Sequence, residues 1–121
     1  MITNVLIHAV NDFAEAQTDL KALDRLEAEA EELESLTIDG IGALGDMLLN
    51  LSGFAQDKRQ NYSEEAINNQ TAGNLARLLI ANSYLLRVAR EARNAAVYEK
   101  AERSQINASK GTAKGGKKCA N

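Results

Sequence analysis

The stretch from Ser63 to Arg103 contains no proline, and its only glycine, Gly73, stands near its start. Nothing in it stops a helix, so it limits the possible folds more than any other segment. Its middle, residues 75–89, is the most apolar part of the chain and includes Leu75, Leu78, Leu79, Ile80, Leu85, Leu86 and Val88. At helical spacing, Thr71, Leu75, Leu78, Asn82, Leu85, Ala89, Ala92 and Ala96 alternate steps of four and three, which is a heptad seam. Leu79, Leu86 and Val88 fall outside that seam, so more than one face of this helix needs cover. At about 1.5 Å per residue such a helix is roughly 60 Å long.

The same helical bias holds throughout. The 121 residues include no proline and no tryptophan, and the chain is rich in Ala, Leu, Glu and Arg, which are strong helix formers. These features predict an all-α fold. The expected architecture is a three-helix bundle, or a helical hairpin with one long C-terminal helix, able to assemble as a coiled-coil oligomer. Residues 1–103 form one helical domain in this reading. Residues 104–121, with three glycines, four lysines and only isolated apolar positions, read as a disordered basic tail.

Boundaries follow from caps and breaks in periodicity. A first helix is expected over residues 4–34, with Val10, Phe13, Leu20, Leu23, Leu26, Ala30 and Leu33 as its stripe. The stripe slips where Leu20, Leu23 and Leu26 lie three apart twice running, and Gln17 interrupts it. A break is expected around Ser35 to Asp39, with Thr37 or Asp39 capping a second helix that runs to about Gln56. Ile41, Leu44, Leu48, Leu51 and Ala55 form the seam of that helix. Gly42 and Gly45 beside it imply either a closely approaching neighbour or a later helix start. Ser63 is a good N-cap for the third helix, with Glu64 and Glu65 in its first turn and Tyr62 and Ile67 placed as a hydrophobic staple.

Candidate catalytic chemistry is thin. The run Gly40 to Gly45 matches G-x-G-x-x-G, but dinucleotide binding needs a β-strand before the glycines, and an acidic helical run precedes these. His8 is the only histidine and Cys119 the only cysteine, with no second ligand beside either. The clustered carboxylates sit on a solvated face that would not shift their pKa toward catalysis. The expectation is a protein that is not an enzyme and takes no cofactor or metal. No apolar run spans a membrane, the N-terminus lacks the pattern of a signal peptide, and the lone cysteine suits a reducing compartment; the expected location is cytoplasmic.

Charge is unevenly placed. Residues 1–57 carry twelve acids and two bases, whereas residues 58–121 carry five acids and twelve bases. In an up-down-up bundle the first and third helices run parallel, which sets Asp24–Glu34 alongside Arg87–Arg103. Opposite charges then meet at the same end of the bundle, which makes Glu27, Glu31 and Glu34 and, from the basic cluster that continues to Lys100 and Arg103, Arg87, Arg90 and Arg93 interaction candidates. The seam supplies a second set of interaction candidates. Leu78 and Leu85 flank Asn82, whose amide pairs with its counterpart in a parallel coiled coil, or bonds within its own chain or to water. The leading expectation is a protein-binding module: a small helical regulator or inhibitor acting through an unidentified protein partner, and itself a homo-oligomer, in the manner of phage or plasmid accessory proteins. The second is a nucleic-acid-associated protein using its basic C-terminal third.

Overall fold

The first helix stops well before the stripe from Val10 to Leu33 predicts. In the computed structural model, which describes residues 2–56 and 69–115, α1 is Ile2–Ala16, α2 is Leu20–Gln56 and α3 is Asn69–Gly115. The fold is all-α, with three helices packed on one another. Gln17 closes α1, its backbone N–H donating to the Ala14 carbonyl at 3.2 Å and its side-chain amide to the Phe13 carbonyl at 3.2 Å. Asp19 then caps α2: its Oδ1 accepts the Lys21 backbone N–H at 3.0 Å, and its carbonyl accepts those of Ala22 and Leu23. The slip at Leu20, Leu23 and Leu26 is therefore the start of a new helix, not drift around an old one.

The break expected at Ser35–Asp39 does not exist. Thr37 is no cap; it is 4% exposed in the middle of α2, and its hydroxyl donates to the Leu33 carbonyl one turn back, at 2.6 Å. It stands four residues after Leu33 and four before Ile41, so it joins the two stripes into one. A cap is worth about 0.5–2 kcal/mol, too little to interrupt a packed row on both sides. Gly73 and Asn74 likewise leave α3 continuous. The third helix also continues past Arg103, through residues expected to lose regular structure. Residues 104–113 are helical but all exposed, so backbone hydrogen bonds extend the helix there without a core beneath it. The expected start at Ser63, with its Tyr62–Ile67 staple, lies outside the described residues.

Packing divides the chain into two units, Met1–Glu31 with Val88–Asn121, and Glu32–Arg87. In the first, α1 folds back along α2, so that Phe13 shares a shallow groove with Ala22, Arg25, Leu26 and Glu29. Helix α3 runs against α2: Lys100 meets Glu27 and Asp24, while Arg103, further along α3, meets the backbone at Gln17. Thus α1 and α3 are parallel, as an up-down-up bundle requires, but the acidic run belongs to α2 and lies antiparallel to α3. The core is made of small residues, Ala14, Ala30, Ala89, Ala92 and Ala96, with Leu23 as the one large, fully buried side chain among the described residues.

The second unit is a hairpin of α2 and α3. Buried Thr37 and half-buried Ile41, Leu44 and Leu48 form the inward row of α2; half-buried Leu75, Leu79, Asn82 and Leu86 form that of α3. Gly40 faces Asn82, whose Oδ1 would lie 3.9 Å from a Cβ built on the glycine. Gly42 and Gly45 answer to neither sequence expectation: the helix begins far earlier, and a Cβ on either would meet nothing within 4 Å among the described residues. Gly42→Ala and Gly45→Ala should accordingly each raise stability by up to about 1 kcal/mol through helix propensity alone. Urea unfolding of the two variants reads this directly, and a loss of stability in either would reveal a neighbour that these contacts lack.

Candidate protein-interaction surface

Inside the first unit Lys100 joins the acidic run of α2 to the basic run of α3. The Lys100 ammonium pairs with Asp24 at 2.6 Å and with Glu27, which stand one turn apart on α2 and so present both carboxylates to one cation. Hydrogen bonding to Asp24 first, then to Glu27, raises the Lys100 pKa well above the usual lysine range. Arg103 uses its fork differently. It donates to the backbone carbonyls of Glu15 at 2.9 Å and Gln17 at 3.3 Å, where α1 ends, and pairs with Glu99 at 3.5 Å on its own helix. The guanidinium thereby satisfies carbonyls that a helix end leaves without partners.

The sequence-derived candidates are thus split among different tasks. Glu27 pairs with Lys100, which lies within the Arg87–Arg103 stretch expected beside Asp24–Glu34. Glu31 is exposed; Glu34 is half-buried and makes a polar interaction. Arg87 and Arg90 are exposed and Arg93 half-buried, with Arg90 and Arg93 each engaged in an interaction of their own. Asn82 lies in the hairpin seam, where its amide donates to the Leu78 carbonyl one turn back at 3.0 Å. Its hydrogen bond is local.

Leu78 and Leu85 were placed in one seam with Asn82, but burial separates them. Leu79 and Leu86 are half-buried, whereas Leu78 is 48% exposed and Leu85 44%. On α2, Ile38 at 47% and Leu49 at 72% are exposed on one side of the helix, and Leu36 at 61% and Met47 at 44% on the side that continues Leu78 and Leu85. Leu36 and Met47 escape a reading from sequence because Leu36 falls in the expected interhelical break and Met47 outside the expected seam. The signal is present all the same: Leu36, Gly40, Ala43 and Met47 follow steps of four, three and four once α2 is taken as one helix. Leucines and a methionine left in water along a helical row are a recognition feature of the second unit. No helix among the described residues is long and apolar enough to cross a membrane.

The Lys100 pairs carry a pH signature. Folding raises the pKa of this group, so its stabilisation is complete below the ordinary lysine value of about 10.5 and is lost as pH rises through the higher folded value. The stability difference between wild type and Lys100→Gln should hold constant from neutral pH upward and shrink only in strongly alkaline solution. A difference already gone near neutral pH would mean that the lysine is not held by these carboxylates.

No family model, no curated protein and no solved structure matches the chain.

Proposed function

We propose that the protein is a non-enzymatic protein-binding module, a small regulator or inhibitor that works by presenting a helical surface to a protein partner. The observation that carries this reading is the exposed apolar row of the Glu32–Arg87 unit. Burying a leucine side chain fully gains about 1.5–3 kcal/mol; Leu36, Leu78, Leu85 and Met47 each leave close to half or more of themselves in water. Such a row is the form in which an amphipathic helix or helical groove is recognised, by anchors at three- and four-residue steps.

The basic C-terminal third supports a second reading, in which the protein associates with nucleic acid. In its favour, residues 104–113 extend α3 as an exposed helix that carries Lys110. Against it, Lys100 and Arg103 are engaged by carboxylates and backbone carbonyls, which leaves fewer cations for phosphate. The two readings separate in one comparison of wild type and Leu36→Glu. A protein-binding module retains host proteins from a lysate, loses them on Leu36→Glu, and does not hold random-sequence DNA even at low salt. DNA binding that falls steeply with salt and ignores Leu36→Glu would overturn the first reading in favour of the second.

A further inference from the structure

The exposed apolar row lies beside a defined contact. Gly40 and Asn82 face each other across the hairpin; Leu36 stands one turn from Gly40 on α2, and Leu78 and Leu85 stand one turn either side of Asn82 on α3. These leucines, with Met47, therefore form one edge of the α2–α3 pair. In the Met1–Glu31 and Val88–Asn121 unit a third helix packs on the two. Among its described residues the Glu32–Arg87 unit has only two.

Charge indicates what covers that edge. From Glu32 to Gln56, α2 carries Glu32, Glu34, Asp39 and Asp46 and no base; from Asn69 to Arg87, α3 carries Arg77 and Arg87 and no acid. One surface thus offers an acidic helix and a basic helix side by side, which is complementary to itself when turned about an axis along the helices. Asp46 lies beyond Gly40 on α2 about as far as Arg77 precedes Asn82 on α3. That rotation sets Asp46 level with Arg77 of a second copy, whereas setting α2 upon α2 would bring acids against acids.

We propose that the Glu32–Arg87 unit is a homodimerisation surface, in which the Leu36, Met47, Leu78 and Leu85 edge of one copy packs on that of a second, with α2 of each against α3 of the other. This rests on the protein-binding reading and names the partner at this face as the chain itself. A self-matched apolar edge with opposite charges on its two helices fits an isologous contact.

Sedimentation velocity on the full chain tests the proposal. Wild type is expected to sediment as a dimer at tens of micromolar, on the scale of ordinary interface affinities. Leu36→Glu and Leu85→Glu should each weaken the dimer by about tenfold or more, because a carboxylate would be buried without a partner. Ile38→Glu, which is exposed on a different side of α2, should leave the dimer unchanged, and circular dichroism confirms that each variant keeps its helices. The exposed charges provide a test free of folding defects: Arg77→Glu and Asp46→Arg should each weaken association, and the double variant should recover it. A monomeric wild type at several hundred micromolar, or a double variant no better than either single one, overturns the proposal. A monomer that still loses its lysate partners on Leu36→Glu would leave the protein-binding reading standing while removing this one.

Discussion

Everything in the fold depends on keeping one register along α2. The inward positions Leu23, Ala30, Thr37 and Leu44 recur at heptad spacing without a skip, so within each unit the described part of α2 turns the same face of the helix inward. Thr37 is the position on which this turns. A threonine buried in a helix interior is costly unless its hydroxyl is satisfied, and the Leu33 carbonyl satisfies it without leaving the helix. Had Thr37 acted as a cap, the rows before and after it would have belonged to separate helices and the hairpin would have been divided.

Side-chain size then determines what each part of that register can do. In the unit that contains α1, alanines dominate the core. An alanine gains little from burial compared with a leucine; what it provides is close approach of helices. Close approach is what lets Lys100 span to two carboxylates on α2 and lets Arg103 reach the carbonyls at the end of α1. In the Glu32–Arg87 unit the balance reverses. Leucines are abundant, but two helices can cover only one row each, and Leu36, Leu78 and Leu85 are left on the outside. Large apolar side chains stay exposed in both units, Ile2, Phe13 and Tyr98 in the first and Leu36, Leu78 and Leu85 in the second.

The helical class, the acidic and basic halves and the apolar rows were legible in the sequence because each is a property of composition or spacing. The helix boundaries were less so. Thr37 and Asp39 look like caps because their side chains can bond to backbone, but whether they do is decided by burial, which local sequence does not contain. Asp19 carries the same ambiguity with the opposite result, and only the slip at Leu20 and Gln17 marked it. Residues 104–115 are helical for a related reason, the rest of the expected tail lying outside the described residues: composition without a core argues against folding, yet a helix already propagating can continue for several turns, since extension is far easier than nucleation. Within the candidate site, Leu78 and Leu79 are both leucines at workable positions of one heptad. Which of them turns inward depends on the facing helix, here on the place of Gly40 opposite Asn82.

On the proposal made here, the outward apolar edge of the Glu32–Arg87 unit is a surface for binding protein, used first by the chain itself. Hydroxyl-radical footprinting of side chains across a concentration series examines it residue by residue, without any substitution. Leu36, Met47, Leu78 and Leu85 should become protected together as concentration rises, while exposed Ile38 and Leu49 keep their reactivity. Uniform reactivity of the four at every concentration, or protection centred on Ile38 and Leu49, would contradict it.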